Sequence, residues 1–298
     1  MKFNNIETLI ENSINISKNK KFCAIIGSNP SHGARSPLLW NAAFEKMNIN
    51  MIMIPLDCKP TNIFILLETL EKTQSFVGGA IAAPFKENTA KWLNKKITKE
   101  SKAIGAVNCI FRNELNQLTG TNTDGEAAII SIKKNLGTLN NKKILILGTG
   151  GTAKAITAYL IPELNSNGEL IIVGRNFNKL RFSSLYKQTK VILWKDLQKT
   201  LYNINLVINC TSIGWGEQST KSPMPKEFLD LLPNSSKIFD VIYDPNPTIF
   251  LSYAKEKKFD TLNGSDMNLE QAVLAYTKVN NIRENLEKIK THMLSAIN

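Results

Sequence analysis

Short apolar runs alternate with amphipathic runs through most of the chain. Unbroken apolar runs bounded by polar or glycine residues are typical of buried strands, and they occupy residues 22–27, 51–56, 76–82, 144–147, 170–173, 206–209 and 238–242. Helical periodicity is found over residues 37–47, 61–72, 124–136 and 152–160. Strands and helices that alternate at this spacing predict parallel βαβ units with right-handed crossovers. The predicted fold class is therefore α/β.

The alternation of apolar and amphipathic runs changes near residue 121, which predicts two domains. Residues 1–122 are expected to form an α/β substrate domain, and residues 123–264 a Rossmann-type, doubly wound NAD(P)-binding domain. Residues 269–297 predict one or two long helices with apolar and charged positions in alternation. A terminal helix of that kind is expected to pack back on the first domain. The predicted substrate domain is therefore discontinuous, with residues 1–122 joined by residues 265–298.

A glycine-rich turn directly follows the apolar strand at residues 144–147. The candidate cofactor-binding residues of this turn are Gly148, Thr149, Gly150, Gly151 and Thr152. Glycines here allow a sharp turn and a close approach of a pyrophosphate to the N-terminus of the following helix, whose dipole favours negative charge. The alternative is an ordinary strand–helix turn that happens to contain glycine. The adjoining strand and helix favour a dinucleotide site.

The residue after the next strand indicates which dinucleotide is bound. A carboxylate there binds the ribose hydroxyls of NAD, whereas a basic residue meets the 2′-phosphate of NADP. The chain has Arg175 at this place, with Lys179 shortly after it and no Asp or Glu nearby. A guanidinium suits a phosphate group, and the alternative is that Arg175 is a solvated surface residue. The predicted cofactor is NADP, with NAD as the alternative.

Composition and charge disfavour nucleic-acid-binding and membrane proteins. The net charge of +12 and the pI near 9.4 raise the question of nucleic acid, but the lysines are spread along the chain without aromatic interleaving or a known nucleic-acid motif. A bias toward Lys, Asn and Ile codons accounts for the excess. No apolar run approaches the ~18 residues of a membrane span, and the N-terminus lacks the apolar core of a secretory signal. A cytoplasmic protein without nucleic-acid or membrane partners is expected.

The cysteines and histidines predict neither a metal site nor a disulfide framework. Four cysteines lie far apart, at Cys23, Cys58, Cys109 and Cys210, and the chain has only two histidines. No C-x-x-C pair or Cys/His cluster is present. Cys23 and Cys210 lie in apolar runs, where a cysteine is more often a core residue than a nucleophile. A reducing compartment fits this pattern.

Lys86 and Asp124 are the candidate catalytic residues. Lys86 follows the strand at residues 76–82, and Asp124 follows Thr123 at the predicted domain boundary. Oxidation of an alcohol by NADP⁺ requires removal of the hydroxyl proton as hydride leaves, and a lysine beside a carboxylate suits that task. The alternative for Lys86 is a surface lysine after a proline. The alternative for Asp124 is an N-cap of the helix that follows.

Together these motifs make the chain similar to the shikimate dehydrogenase family, which includes quinate dehydrogenases and divergent paralogues. The matching motifs run in family order over nearly the whole chain: Ser36-Pro37, Pro84-Phe85-Lys86, Gly105-Ala106-Val107-Asn108, Asn122-Thr123-Asp124-Gly125, the turn at Gly148, Asn209-Cys210-Thr211-Ser212, Asp240-Val241-Ile242-Tyr243 with Pro245 and Thr248, and Gly264, Met267 and Gln271.

The resemblance implies roles for residues that the pattern alone does not assign. Lys86 and Asp124 are implied to be the catalytic pair. Residues implied to bind substrate are Ser36, Asn108, Tyr243 and Gln271, and those implied to lie along the nicotinamide are Thr211, Val241, Gly264 and Met267. The implied activity is an NADP-dependent oxidation of a CH–OH group in aromatic amino acid biosynthesis, by a monomer or homodimer.

The chain departs from the family pattern mainly where substrate is expected to bind. The first serine of the family's Ser-x-Ser-Pro motif is Ala34, and its Asn-Val-Thr-x-Pro motif has alanines at Ala80 and Ala82. Loss of these polar groups weakens binding of a polyhydroxylated acid. Arg35 is a candidate new carboxylate ligand or a solvent-facing residue, and His32 a candidate ligand or a loop residue.

Three functions follow from this combination of retained and altered residues. The leading one is an NADP-dependent dehydrogenase with an altered pocket that acts on a hydroxy or keto carbocyclic acid. The second is a true shikimate dehydrogenase whose missing ligands are replaced from residues 31–35. The third is a catalytically weak NADP-binding sensor of a metabolite, which the retained Lys86 and Asp124 disfavour.

Overall fold

The computed structural model describes residues 4–17, 20–175, 189–282 and 285–296. The chain divides into two compact units, one formed by Met1–Thr123 with Gln271–Asn298 and the other by Asp124–Glu270. The sequence predicts the boundaries after residues 122 and 264. The helix that begins at Ser265 and ends at Asn280 therefore starts in the second unit and ends in the first.

The first unit contains a five-stranded sheet with helices packed against it. Its elements up to residue 121 are α1 (Asn4–Glu7), β1 (Lys21–Gly27), α2 (Ser36–Lys46), β2 (Met51–Asp57), α3 (Ile63–Lys72), β3 (Phe76–Ile81), α4 (Lys86–Leu93), α5 (Lys99–Ile104), β4 (Cys109–Arg112) and β5 (Leu118–Thr121). The strand order is β2-β1-β3-β4-β5. Strands β2, β1 and β3 are parallel, whereas β4 is antiparallel to both β3 and β5. The strand order reverses beside β1, so the loops after β1 and β3 begin at neighbouring strand ends.

The second unit contains a six-stranded, wholly parallel sheet. Its elements are α6 (Asp124–Leu136), β6 (Lys143–Leu147), α7 (Gly151–Leu160), β7 (Glu169–Gly174), β8 (Thr189–Leu193), β9 (Leu206–Asn209), β10 (Lys237–Asp240), α8 (Ile249–Glu256), β11 (Asp260–Leu262) and the first residues of α9 (Ser265–Asn280). The strand order β11-β10-β9-β6-β7-β8 is that of a doubly wound dinucleotide-binding fold. The order reverses between β6 and β9, which is where such folds bind their ligand. The predicted α/β class with a Rossmann-type sheet is confirmed.

Each unit has its own apolar core. Phe22, Leu56, Leu66 and Phe76 belong to a buried cluster of the first unit, and Leu145, Val173, Val207, Ile238 and Phe250 belong to one of the second. Strands of a parallel sheet covered on both faces are apolar at nearly every position, which is why the sequences of these strands are unbroken apolar runs. Within the described ranges, no helix has both the length and the apolar content that a membrane-spanning helix requires.

The structure differs from the predicted pattern at several elements. The strand expected over residues 238–242 ends at Asp240, because the Ile242 N–H turns back to the Asp240 Oδ1 at 3.1 Å. The helical region expected over residues 269–297 consists of α9 and α10 (Leu286–Leu294), and the chain after α9 passes through Asn281 at φ 52°. Elements that the pattern did not predict are α1, α4, α5, β4, β5, β8, α8 and β11.

Candidate active site

The glycine turn lies at the point where the strand order of the second unit reverses. Gly148 directly follows β6 and has φ +104°, a conformation that side-chain-bearing residues rarely adopt. Its N–H donates to the Val173 carbonyl at 2.9 Å. A Cβ on Gly148 would lie 3.0 Å from the Thr211 Cγ2, in the loop after β9. The turn therefore brings together the ends of β6, β7 and β9.

The N-terminus of α7 provides an open cradle at this turn. Gly150 is the N-cap and Gly151 the first helical residue, while the first turn of the helix contains no Asp or Glu. A Cβ at either glycine would have no described atom within 4 Å. Thr149 and Thr152, which flank the two glycines, are partly exposed. Free N–H groups, the positive end of the helix dipole and open space suit a phosphate group.

Arg175 is exposed and directly follows Gly174, the last residue of β7. In a doubly wound sheet this strand end lies beside the ribose of a dinucleotide bound at the preceding strand. The fit to a 2′-phosphate therefore rests on Arg175, because Lys179 lies outside the described residues. The residues present fit NADP.

Asp240 is the centre of a buried hydrogen-bond network that joins the ends of β9 and β10. Its Oδ1 accepts from the Asn209 amide at 3.0 Å, and its Oδ2 accepts from the Thr248 hydroxyl at 2.8 Å. Asn209 in turn accepts from the Thr211 N–H at 3.0 Å and the Thr211 hydroxyl at 2.7 Å. Burial raises the pKa of Asp240 to about 6, while hydrogen bonds from Thr248, Ile242 and Asn209 act in the opposite direction. This network fixes the loop that carries Thr211.

The other candidate residues of the second unit follow β10 and β11. The Gly264 N–H donates to the Ile242 carbonyl at 3.1 Å, and a Cβ on Gly264 would lie 2.0 Å from the Val241 oxygen. Only glycine permits this close approach. Met267 is buried, whereas Tyr243 is 39% exposed. Since strands β10 and β11 are neighbours, Val241, Tyr243 and Gly264 lie at the same edge of the sheet.

In the first unit, hydrogen bonds bring the segments of three candidate residues together. Lys86 is the first residue of α4 and is partly buried, and its carbonyl accepts from the Val107 N–H at 3.0 Å. The next residue, Asn108, accepts from the Thr123 N–H at 2.8 Å through its Oδ1. The Thr123 hydroxyl lies 3.3 Å from the Gln271 carbonyl, to which it donates. Asn108 and Gln271 therefore both contact Thr123, and Lys86 is linked to Asn108 through the backbone of Val107.

Asp124 begins α6 and directly follows Thr123. It occupies the first turn of the helix, where a carboxylate is stabilised by the helix dipole. As the first helical residue, Asp124 follows the N-cap position and is not itself the N-cap, and its catalytic role stays a prediction.

The departures from the family pattern lie at the carboxyl ends of β1 and β3. Ser36 is buried at the start of α2, and Arg35 is the helical N-cap residue before it. Ala80 is buried, and a Cβ on Gly27 would lie 3.1 Å from the Ala82 Cβ. Small apolar groups therefore occupy the strand ends at which the family pattern has polar ones.

Metal or thiol chemistry has no support in the described part of the chain. No group of three or more His, Cys, Asp or Glu side chains there could hold a metal ion. All four cysteines are buried and unpaired by disulfides. Burial raises the pKa of Cys58 to about 11 and also raises the pKa values of Cys23 and Cys210. Thiols in these surroundings are protonated and inert.

The sequence of this chain matches family models and curated proteins of known activity. Residues 25–110 match a family model described as the shikimate dehydrogenase substrate binding domain, and residues 131–215 match one described as shikimate / quinate 5-dehydrogenase. The chain is 32% identical to the shikimate dehydrogenase (NADP(+)) of Microcystis aeruginosa over 87% of this chain and 91% of that protein. It is 28% identical to the enzyme of the same name from Methanocaldococcus jannaschii, over 95% and 99% of the two chains.

Solved structures give the same match. A crystal structure of a shikimate dehydrogenase in complex with NADP⁺ superposes with a TM-score of 0.81 at 26% identity, covering 95% of this chain and 98% of that one. A chorismate mutase/shikimate 5-dehydrogenase fusion protein from Clostridium acetobutylicum superposes with a TM-score of 0.81 at 28% identity, covering 94% and 97%. A quinate dehydrogenase at 18% identity shares the fold.

Proposed function

This chain belongs to the shikimate dehydrogenase family, NADP-dependent oxidoreductases that act on a CH–OH group, and we propose that it transfers hydride between NADP(H) and a hydroxy or keto carbocyclic acid. The observation that carries this proposal is the placement of Lys86 and Asn108 on adjacent, hydrogen-bonded segments of the first unit. A partly buried lysine beside a rigid amide is a suitable place to hold and deprotonate a substrate hydroxyl.

The second unit supplies the residues that would hold the cofactor. The glycine turn at Gly148, Gly150 and Gly151 would bind the pyrophosphate through backbone N–H groups at the N-terminus of α7. Arg175 would pair with the 2′-phosphate. Thr211, Val241, Gly264 and Met267 are proposed to line the nicotinamide. When bound, NADP⁺ supplies the hydride acceptor.

The chain's own residues handle the proton. As the substrate carbon loses hydride, its hydroxyl must lose a proton so that the C=O bond forms. We assign removal of this proton to the Lys86 amine and assign Asp124 to support that lysine. In the reverse direction, the Lys86 ammonium returns the proton to the oxygen of the keto acid. Asn108, Gln271, Ser36 and Tyr243 are assigned to orient the substrate.

The preferred substrate is proposed to differ from shikimate. Ala34, Ala80 and Ala82 supply no side-chain hydrogen-bond donor at the ends of β1 and β3, and each missing bond to a polar substrate is worth about 1 kcal/mol. Arg35 is the proposed replacement ligand for the carboxylate. The second candidate is shikimate itself, and the observation that favours it is the 32% identity to a curated shikimate dehydrogenase.

Replacement of Lys86 by Ala tests the catalytic assignment. We expect kcat for NADP⁺ reduction to fall by a factor of about 10² to 10⁴, because general base catalysis is lost. The matched control is Lys91→Ala, an exposed lysine on the same helix, which should leave kcat unchanged. If Lys86→Ala retains the wild-type kcat with every accepted acid, Lys86 is not the general base and the catalytic assignment is wrong.

A further inference from the structure

Asp57 is a buried carboxylate that the proposed reaction does not use. It is the last residue of β2 and is 5% exposed. A buried carboxylate must be surrounded by hydrogen-bond donors, because its desolvation is otherwise too costly. One residue, Ser31, supplies two of them. The Ser31 N–H donates to the Asp57 Oδ1 at 2.8 Å, and the Ser31 hydroxyl donates to the Asp57 Oδ2 in a short hydrogen bond.

Ser31 belongs to the substrate loop, residues 28–35, which connects β1 to α2. The loop starts beside the ends of β1 and β3, because both the Pro30 Cδ and the Ala82 Cβ lie within 3.3 Å of where a Cβ on Gly27 would be. The Ala34 N–H donates to the Pro30 carbonyl at 3.2 Å. The loop therefore folds on itself between the end of β3 and the end of β2.

His32 joins the same network. Its Nδ1 lies 2.7 Å from the Asn29 Oδ1 and 2.9 Å from the Ser31 Oγ. Because an amide oxygen only accepts, the Nδ1 carries hydrogen and donates into the loop. The Ser31 Oγ can accept from it while donating to Asp57. His32 thus has a hydrogen-bonding role within the substrate loop itself.

We propose that Asp57 is a positioning residue that fixes the substrate loop through Ser31 and so sets the affinity for the acid substrate. The loop ends at Arg35, the proposed carboxylate ligand, and leads directly into Ser36. With Ala34 contributing no polar group, recognition depends on where the loop holds its remaining polar residues. This inference rests on the proposed function for its effect on substrate, but the loop geometry stands independently of it.

Asn12 allows the effect of Asp57 on the substrate loop to be distinguished from general stabilisation of the end of β2. The Asn12 Oδ1 accepts from the Asp57 N–H at 2.7 Å, and the Asn12 Nδ2 donates to the Pro55 carbonyl at 3.0 Å. Asn12 therefore holds the backbone of the same strand end and makes no hydrogen bond to the substrate loop among those that the structure describes. Asn12→Ala is the matched control for local destabilisation.

The experiment compares Ser31→Ala, Ser31→Thr, Asp57→Asn and Asn12→Ala. Initial rates are measured with NADP⁺ and with shikimate and quinate as probe acids. We expect Ser31→Ala and Asp57→Asn to raise KM for the accepted acid by about tenfold, as expected for loss of a hydrogen bond to a charged group, with KM for NADP⁺ unchanged. Ser31→Thr keeps both donors and should restore the wild-type KM, and Asn12→Ala should leave it unchanged.

Hydrogen–deuterium exchange of the substrate loop gives a readout that does not depend on activity. We expect faster exchange of amides in residues 31–36 in Ser31→Ala and Asp57→Asn, and wild-type exchange there in Asn12→Ala. Absence of turnover of both probe acids would contradict the second candidate function, oxidation of shikimate, while the exchange rates would still decide the loop's dependence on Asp57. Unchanged exchange in Asp57→Asn, or an equal rise in KM in Asn12→Ala, overturns the positioning role.

Discussion

The buried carboxyl group of Asp240 in the second unit should make the stability of the protein depend on pH. This carboxyl group is fully buried between the ends of β9 and β10. Burial favours the neutral acid, and the resulting rise of its pKa from 3.8 to about 6 is equivalent to roughly 3 kcal/mol between the two protonation states. The substitution Asp240→Asn removes the titrating group while keeping an oxygen that can accept from Asn209.

The sign of the pH dependence follows from the raised pKa. Between about pH 4 and pH 6 the folded state holds the Asp240 proton while the unfolded state releases it, so the free energy of unfolding falls as pH rises. Above about pH 6 the carboxyl is ionised in both states, and its contribution no longer changes. We therefore expect the wild type to lose up to ~3 kcal/mol of stability across this window through Asp240 alone.

Urea denaturation of the wild type and Asp240→Asn over the same pH series isolates this contribution, because other titrating groups cancel in the difference. The difference in unfolding free energy, wild type minus variant, should fall by about 2 to 3 kcal/mol from pH 4 to pH 7. A difference that does not change with pH refutes the reasoning. A difference that rises with pH means that the three hydrogen bonds to the carboxylate outweigh its burial.

Three further predictions concern the cofactor site and the helices of the second unit. Arg175→Gln should raise KM for NADP⁺ about tenfold and leave KM for NAD⁺ unchanged in steady-state assays, because only NADP⁺ has a phosphate for the guanidinium; equal changes for both cofactors would place Arg175 outside the site. Gly125→Ala should lower the unfolding free energy by about 1 to 3 kcal/mol despite the better helix propensity of alanine, since its Cβ would lie 2.2 Å from the Ala155 carbonyl oxygen. Gly151→Ala, with open space around it, should keep wild-type stability but bind NADPH more weakly in a titration, and a loss of stability there would contradict this view of the turn.

The parts of the fold that the sequence predicts best are those determined by local pattern. The helix over residues 124–136 and the strand over residues 206–209 have the predicted bounds, because amphipathic periodicity and buried apolar runs are read within one segment. The hairpin β4–β5 has strands of only four residues, too short to show a period. Its turn depends on Asn113, whose Oδ1 accepts from two N–H groups, and on Asn116 at φ 60°.

The candidate site divides in the same way. The glycine turn is contiguous in sequence, so both its phosphate cradle and the following helix could be predicted. The supporting networks join residues that are distant in sequence, since Ser31 and Asp57 are 26 positions apart and Asn209 and Asp240 are 31 apart. A polar residue at the end of an apolar strand, such as Asp57, indicates that a hydrogen-bond partner lies nearby in the fold. Only the three-dimensional structure identifies that partner.

Steady-state oxidation of a panel of cyclic and acyclic hydroxy acids, shikimate and quinate included, tests whether the protein is an NADP⁺-dependent dehydrogenase with an altered substrate pocket. The panel is run with NADP⁺ and with NAD⁺, and reduced cofactor is measured by absorbance. We predict NADP⁺-dependent turnover of a carbocyclic hydroxy acid with a higher kcat/KM than shikimate, and loss of that turnover in Lys86→Ala. Efficient turnover of shikimate above all other acids would contradict the altered pocket, and no turnover of any acid would contradict the proposed dehydrogenase.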